Sequence, residues 1–419
     1  MKTPTYRRAT GIGLLPLLAA CGGDMNGDAH AAGPVVRDSA GVRIVENSVP
    51  AWSEGTGWRL SAEPTLEIGM LDGPPEYQFG AISGVTRLRD GTVVVADRQA
   101  NHLRFFDPEG GHVRTAGREG GGPGEFRMVT LLRSAGNDSV VTFDVGNRRI
   151  SVFAPDGTFM RSIPIQGDTQ VTFPIPLARF ADGSFLVNGG APGASSSGDG
   201  ASRRPVSLYR LTPESGLSHI ARFLGNEAFV QTEGNSKRQQ VSTQALPFAR
   251  SSAFVAGDSI LYAGDTDRFE IGRYAASGEL LSIIRRSTPA REVTPADIDA
   301  FKRESLRTRA PGSPGRARME RALAEMPYPA TMPAFSTLGT DPGRNLWVLE
   351  YEPIPDTPGT WTVFDPTGTM LGTVATPARL QVVEIGDDYV LGVWKDELDV
   401  QTVRLYALEK PAASRAAVR

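Results

Sequence analysis

The sequence is poor in the residues from which cross-links and soft metal sites are built. It has one cysteine and four histidines in 419 residues. One cysteine rules out a disulfide within the chain and a cysteine-rich metal site. None of the four histidines, His30, His102, His112 and His219, stands in an HExxH pair or at another metal-ligand spacing. A GxSxG nucleophile elbow is missing as well, so the sequence identifies no catalytic residue.

An excess of charge of one sign is also missing. Lys and Arg number 44 and Asp and Glu number 47, which leaves a formal net charge of -3. With no basic block, the chain is unsuited to non-specific nucleic-acid binding, which depends on neutralising phosphates. Glycine and proline, by contrast, are abundant at 47 and 31 residues. This composition indicates many turns rather than long helices.

The N-terminus has the features of a secretory signal. Basic residues precede an apolar stretch, Gly11–Ala20, that is too short to span a bilayer. The stretch ends in Leu18-Ala19-Ala20-Cys21, which resembles the bacterial lipobox. The resemblance implies cleavage before Cys21 and lipidation of its thiol, whereas an ordinary signal peptide is the alternative.

This interpretation divides the N-terminal region in two. We predict a lipoprotein signal peptide at 1–20 and a flexible tether at 21–40, because the residues after Cys21 are small and polar. An acyl chain would hold the protein at a membrane surface without a spanning helix. The residue after Cys21 is Gly rather than Asp. By analogy with lipoprotein sorting, this predicts that the protein is located at the bacterial outer membrane.

The body of the chain is an internal repeat. In the segments 90–110, 137–157 and 257–278, a β-branched strand ends in an Asp, an apolar residue follows six positions later and an aromatic residue nine positions later. Weaker copies occupy 182–190, 343–368 and 386–410. Each copy reads as a hairpin with one strand before it and one after it. Six units of four strands predict an all-β fold, the six-bladed β-propeller.

The last unit has no fourth strand, and the N-terminal end of the repeat region supplies a candidate. The segment PTLEIG at 64–69 precedes a degenerate copy of the connection between two units. Pairing of this strand with the last unit would close the ring and remove its exposed edges. We therefore predict a propeller over 41–410 and a C-terminal tail at 411–419.

The glycine-rich stretch GREGGGPGEF, at 117–126, connects two units. It is no phosphate loop, because no Lys-Ser/Thr follows its glycines and no helical pattern comes after Phe126. Glycines permit positive φ in the crossing, and Phe126 is expected to pack between blades. The run Gly-Pro-Gly-x-Phe, strand, Asp, Arg149-Ile-x-x-Phe and Asp-Gly resembles the NHL repeat. With the lipobox, the chain resembles bacterial lipoproteins of the NHL-like six-bladed propeller family.

One segment, 288–329, departs from the repeat. Thr294 before Pro295, with Asp297 three residues further on, is a helix-start signal. Two modest apolar stripes, separated by PGSPG, predict a helical hairpin between the fourth and fifth blades. Two roles stay open: a lid on the apolar edge of the ring, or a cap that contacts a ligand or partner.

The repeat phase gives the candidate site residues. Five carboxylate or amide side chains, and one lysine, end the second strand of successive units: Asp97, Asp144, Asn188, Asp265, Glu350 and Lys395. A six-fold ring would bring these positions to one axial face. Gluconolactonase-like six-bladed hydrolases hold a divalent cation near the axis with Glu, Asn and Asp, and this resemblance implies a calcium site. The alternative is a structural role, with each Asp capping the turn of its own blade.

From these features we predict a lipid-anchored envelope propeller that binds an unidentified protein, peptide or glycan and is not an enzyme. The first alternative is a metal-dependent propeller hydrolase or lyase, similar to a lactonase, with its site at the central axis. The second is a purely structural envelope component. Beyond the possible calcium, no cofactor and no nucleic-acid partner is expected.

Overall fold

The computed structural model describes residues 33–132, 138–167, 171, 173–189, 200–212, 216–235, 238–353 and 356–411. Within these ranges the chain is mostly β, with 28 strands and two α-helices, which confirms the all-β prediction. The signal peptide, Cys21, most of the predicted tether and residues 412–419 lie outside the described residues. No helix in the described ranges is long and apolar enough to cross a membrane.

The strands, in chain order, begin with four short ones before the repeats: β1 (Val35–Ser39), β2 (Val42–Asn47), β3 (Arg59–Leu60) and β4 (Leu66–Ile68). Sheet 1 contains β5 (Ile82–Arg87), β6 (Val93–Asp97), β7 (His102–Phe106) and β8 (His112–Ala116). Sheet 2 contains β9 (Val129–Leu132), β10 (Val140–Asp144), β11 (Arg149–Phe153) and β12 (Phe159–Pro164). Sheet 3 contains β13 (Ile175–Arg179), β14 (Phe185–Gly189), β15 (Gly200–Thr212), β16 (Gly216–Asn235) and β17 (Arg238–Ala245).

The second half of the chain continues the series. Sheet 4 is built on β18 (Ser252–Gly257), β19 (Ile260–Asp265), β20 (Glu270–Ala275) and β21 (Leu280–Arg286). The helices α1 (Pro295–Leu306) and α2 (Pro314–Glu325) follow it. Sheet 5 contains β22 (Phe335–Thr340), β23 (Leu346–Glu350), β24 (Gly359–Phe364) and β25 (Met370–Thr376). Sheet 6 contains β26 (Leu380–Ile385), β27 (Tyr389–Lys395) and β28 (Gln401–Glu409), and it is completed by β3 and β4.

The first strands of the sheets contact one another in a closed cycle. The order of contact is β5, β9, β13, β18, β22 and β26, and β26 returns to β5. Each sheet runs outward from its first strand by antiparallel pairing with the next strand. This arrangement creates two faces. The upper face is the one that contains the C-terminal end of the second strand of each sheet. The lower face is the one that contains the C-terminal end of the first strand.

Packing between neighbouring sheets supplies the core. The central strands are rich in Val, Ile and Phe and are buried on both sides, as in Val93–Asp97 and Val140–Asp144. Each of the six junctions between neighbouring sheets is filled by its own hydrophobic cluster. At the junction of sheets 1 and 2, Phe126 is fully buried and its ring centroid lies 5.6 Å from that of Phe153. The expectation that Phe126 packs between sheets is confirmed.

The loop at 117–126 needs glycine for a steric reason. Gly117 has φ +82°, and a Cβ there would lie 2.4 Å from the ring of Phe126. The side chain of Arg149 donates hydrogen bonds to the carbonyls of Gly121, Gly122 and Glu125. Burial of Phe126 and the Arg149 contacts together fix the crossing between the two sheets. The repeat arginine therefore has a structural role here.

The N-terminal segment wraps three sheets. Its first hairpin, formed by β1 and β2, adds to sheet 4, where β2 pairs in parallel with β21. The strand β1, Val35–Ser39, lies within the region that the sequence assigned to the tether. The buried side chain of Asn47 then donates to the carbonyls of Arg285 and Gly368 and accepts the N–H of Met370. Further along, β4 pairs antiparallel with β28. The prediction that 64–69 completes the last sheet is confirmed.

The insertion between sheets 4 and 5 is the expected pair of helices. Thr294 caps α1 in a capping box with Asp297, and hydrogen bonds from Thr294 lower the pKa of the Asp297 carboxyl. Leu323 of α2 is buried. Phe301 of α1 packs against Phe248, which is buried beside sheet 4, at 5.6 Å between ring centroids. The two stems of the insertion are joined by a bridge between Glu292 and Thr331.

Candidate functional site

The six positions singled out from the repeat all lie at or next to the C-terminal end of the second strand of their sheets. Four of them, Asp97, Asp144, Asp265 and Glu350, are the last residues of β6, β10, β19 and β23. Asn188 is one residue from the end of β14, and Lys395 ends β27. The structure thus places them on the upper face, as the repeat phase requires. Their side chains nevertheless have different partners.

Asp97 is bound inside the loops of its own sheet. Its side chain is 1% exposed and accepts backbone N–H groups from both sides, those of Gly80 and Ala81 before β5 and those of Gln99 and Ala100 after β6. The guanidinium of Arg104 lies 3.4 Å from one of its oxygens. The carboxylate therefore ties the crossing loop to the hairpin loop.

Asp144 has the same role in sheet 2. It is fully buried and accepts the backbone N–H groups of Arg127, Met128 and Asn147 at 3.0 to 3.1 Å. It also accepts the side-chain amide of Asn147 at 2.6 Å. Both oxygens are occupied by donors within the sheet. This geometry is that of a turn-capping carboxylate.

Asp265 and Glu350 bind arginines from other sheets. Asp265 is 30% exposed and pairs with Arg203 of sheet 3 at 2.7 Å. In its place Thr266, which is fully buried, accepts the N–H of Ser251 through its hydroxyl. Asp265 keeps one long contact with its own turn, from the N–H of Asp267 at 3.3 Å, and Thr266 takes over the contact with the preceding strand. The repeat pattern alone did not indicate this division. Glu350 pairs with Arg286 of sheet 4 at 2.5 Å.

The remaining two positions complete the set. Asn188 is half-buried and pairs through its backbone with Ile175 and Leu208, whereas Lys395 is exposed. Across the described ranges, no three His, Cys, Asp or Glu side chains are grouped so that they could hold a metal ion. The predicted axial positions thus share a face, but the described carboxylates are engaged one by one with separate partners.

Glu350 opens onto a cleft between sheets 4 and 5, which we call the 4/5 cleft. Its volume is about 570 Å³. One wall is the stem of the helical insertion, formed by Ser287–Arg291 and Met332–Ala334. The other walls come from the outer strands of sheet 4 and from the loop after β23. The stem of the insertion is therefore part of a concave site.

Ion pairs line the floor of the 4/5 cleft. Arg285 donates to Glu270 at 2.6 Å and lies 3.5 Å from Glu46 of β2. The hydrogen bond to Glu270, together with the charge of both acids, raises the pKa of the Arg285 guanidinium. Beside this cluster, Arg286 contacts Glu350 and lies over the ring of Phe269 at 5.4 Å. The floor thus offers paired charges next to an aromatic face.

The rim of the 4/5 cleft joins the insertion to sheet 5. Arg291 of the insertion stem lies 3.4 Å from Asp297 and 3.6 Å from Glu352. Tyr351, between Glu350 and Glu352, lines the cleft, and burial raises the pKa of its phenol. The hydroxyl of Tyr351 therefore stays protonated at neutral pH and can donate a hydrogen bond to a ligand.

Sequence reasoning identified Glu350 and the insertion but missed their connection. The sequence did contain a signal for this connection. Two arginines, Arg286 and Arg291, lie near the start of the insertion, and two acids, Glu350 and Glu352, lie in the unit that follows it. Nothing in a single sequence shows that these residues meet, since 64 positions separate Arg286 from Glu350. The contact of Glu46 with Arg285 likewise depends on the docking of the N-terminal hairpin.

Comparison with known proteins yields fold likeness and no family. No family model and no curated protein matches the chain. A member of the DUF4221 family from Bacteroides vulgatus is similar in structure, with TM-score 0.52 and 10% identity over 85% of this chain and 99% of its own. Virginiamycin B lyase from Staphylococcus aureus is similar in structure with TM-score 0.40 and 11% identity, over 84% of this chain and 100% of its own. A gluconolactonase from Xanthomonas campestris is similar in structure with TM-score 0.42 and 15% identity, over 84% of this chain and 100% of its own.

Proposed function

We propose that this chain is a six-bladed β-propeller that binds a polar peptide or glycan in the 4/5 cleft. The closed contact cycle of the first strands supports the count of six blades, one blade for each sheet. The NHL-type repeat at 117–157 supports the same architecture. The protein would act as an interaction module of the bacterial envelope, held to the outer membrane by a lipid on Cys21.

One observation carries the binding proposal: the stem of the only long helical insertion in the described ranges forms a wall of the 4/5 cleft. Inserted segments on a rigid scaffold often carry recognition. A volume of about 570 Å³ lies in the range of ligand sites. The bridge between Glu292 and Thr331 holds the two stems together and so fixes this wall.

The lining of the 4/5 cleft points to the kind of ligand. Acids and arginines alternate along it, and most are already paired: Glu46, Asp267, Arg268, Glu270, Arg285, Arg286, Arg291, Glu350 and Glu352. Such a surface has no strong net charge but presents many donors and acceptors. Peptide groups and sugar hydroxyls can use both kinds of partner, whereas an apolar ligand would leave the ions desolvated.

Shortening the insertion tests this proposal. Because 292 and 331 are already bridged, residues 293–330 can be replaced by Gly-Gly so that the stems become a short hairpin. The purified protein and this variant are probed on the same peptide and glycan arrays. We expect specific binding by the parent protein, loss of binding in the shortened variant and in Tyr351→Ala, and unchanged binding in the surface control Arg59→Gln. Array binding that survives both changes would contradict the proposal.

The metal-dependent hydrolase or lyase stays the second proposal. It would require upper-face carboxylates that are available to a cation, yet Asp97 and Asp144 accept N–H groups with both oxygens. Hydrolysis of a chromogenic lactone is measured with added calcium and with a chelator. A calcium-dependent rate that Asp144→Asn abolishes, in a protein that still folds, would reverse the order of the two proposals.

A further inference from the structure

A second cavity lies at the lower face, opposite the predicted acidic positions. Its volume is about 410 Å³, and we call it the lower cavity. Every sheet contributes a charged residue to its lining, in the order Arg87, Asp138, Arg179, Asp258, Asp341 and Glu384. These residues stand at the ends of the first strands or in the turns that follow. The lower cavity is therefore built around the axis of the ring of sheets.

The acids of the lower cavity already have partners. Glu384 accepts the hydroxyl of Thr86 at 2.6 Å and the hydroxyl of Tyr389. Asp341 is buried, and its carboxylate accepts hydrogen bonds from the side-chain amide of Asn345 and from the indole N–H of Trp347. These contacts occupy the carboxylates inside the protein.

The other two acids lie nearer the rim. Asp258 pairs with Arg344 at 2.9 Å. Asp138 accepts the backbone N–H of Arg89 at 3.1 Å, and the Arg89 guanidinium is 4.0 Å from it. Thus each carboxylate of the lower cavity has a donor of its own.

Two of the arginines have no such partner. Across the described residues, no carboxylate lies within ion-pair distance of the Arg87 or the Arg179 guanidinium. Arg87 lies over the ring of Tyr389, at 4.8 Å from its centroid. Asp182, which acts on Arg179 electrostatically, is itself paired with Arg210. Burial, and then the charge of Arg161, lowers the pKa of the Arg179 guanidinium.

The two arginines are equivalent in the repeat. Arg87 ends β5 and precedes Leu88-Arg89-Asp90-Gly91, and Arg179 ends β13 and precedes Phe180-Ala181-Asp182-Gly183. The same backbone geometry thus presents both guanidiniums from sheets 1 and 3 to one axial cavity. A guanidinium presents a planar set of donors that fits the oxygens of a carboxylate, phosphate or sulfate. Because no carboxylate of the described residues forms an ion pair with Arg87 or Arg179, those donors are available to a ligand.

We propose that the lower cavity binds a small molecule through an oxyanion group held by Arg87 and Arg179. The cavity volume suits a small metabolite rather than a protein segment. The hydroxyl oxygens of Thr86 and Tyr389, whose protons are donated to Glu384, would accept hydrogen bonds from the polar remainder of the ligand. This site is separate from the 4/5 cleft and does not depend on the function proposed there.

Titration calorimetry of the purified protein at constant ionic strength tests the site. The probes are inorganic phosphate, sulfate and citrate, which present different oxyanions. We expect saturable binding of at least one probe, weakened about tenfold in Arg87→Gln and in Arg179→Gln. Arg59→Gln removes the same charge from an exposed position on β3 outside the cavity and should leave the affinity unchanged.

A gain of affinity separates the proposal from damage to the fold. Glu384→Gln removes a negative charge beside the site, so an oxyanion should bind more tightly, and misfolding cannot produce that result. The preferred probe identifies the oxyanion, since phosphate or sulfate would indicate an ester ligand and citrate an organic acid. No saturable binding of any probe to the parent protein would overturn the proposal. An equal loss in Arg59→Gln, or weaker binding in Glu384→Gln, would overturn it as well.

Discussion

The stability of the upper face should be unequally distributed among acids that look equivalent in sequence. Asp144 is fully buried and accepts three backbone N–H groups and one side-chain amide. Asp144→Ala removes all of these acceptors at once. A buried donor without a partner costs about 1–3 kcal/mol, and relaxation of the loops recovers part of that cost. We therefore expect Asp144→Ala to lower the free energy of unfolding by about 3 kcal/mol.

Asp265 provides the contrast. Its side chain is 30% exposed, and its partner Arg203, whose side chain is 10% exposed, also donates to the carbonyls of Leu224 and Gly225 and keeps these acceptors when Asp265 is removed. Exposed pairs contribute about 0.2–1 kcal/mol and this pair is more shielded, so Asp265→Ala should cost about 1 kcal/mol, well below the loss expected for Asp144→Ala. Thr266→Ala should cost more than Asp265→Ala, because the buried Thr266 hydroxyl accepts the N–H of Ser251.

Guanidinium chloride unfolding, followed by tryptophan fluorescence, measures these differences. Trp58, Trp347 and Trp361 are buried at the junction of sheets 5 and 6 and report on the folded ring. The Asp97 and Asp144 losses should add within about 0.5 kcal/mol, because the two share no partner. Equal losses at Asp144 and Asp265 would refute the capping argument. A calcium-dependent midpoint shift that each single Asp variant abolishes would refute it in favour of a shared cation.

Further predictions concern the anchor, the closure of the ring and pH. Cys21→Ser should abolish incorporation of labelled palmitate into the protein, and persistent labelling would contradict the lipoprotein prediction. Deleting residues through 70 should lower the thermal midpoint strongly, because β4 leaves sheet 6, whereas deleting only the exposed β1 should change it little. Burial and then Arg104 lower the pKa of His102, which accepts from the Arg104 guanidinium. A lowered folded-state pKa gives stability that is present above the unfolded value, about 6.5, and is lost as pH falls below it. The acid-induced drop in melting temperature should therefore be smaller in His102→Gln.

Local patterns were enough for the elements and much of the packing. Strong β-branched runs that end in an Asp predicted the central strands, and Thr294 with Asp297 predicted the start of α1. Phe126 was correctly expected between sheets because it lies in the crossing that connects two units. The pairing of 64–69 with the last sheet followed from counting strands. Each of these inferences rests on chain-local periodicity or on the need to satisfy a sheet edge.

The partners of side chains could not be predicted in the same way. Arg149 was expected at its repeat position, and His102 stands there in sheet 1. The loop carbonyls of sheet 1 are instead bound by Arg104, two residues later, which donates to those of Glu76 and Gln78. A long side chain can reach the same carbonyls from either position, so spacing alone does not decide which residue does so.

The sequence by itself determined an all-β chain of repeated hairpins, its helical insertion and the strand that completes the last sheet, because these depend on residue order and period. Only the tertiary structure decided that Asp97 and Asp144 are enclosed by backbone donors while Glu350 faces a cleft. It also decided that Arg87 and Arg179 line one axial cavity. These outcomes depend on contacts between residues far apart in the chain, and only the closing of the sheets on one another brings such residues together.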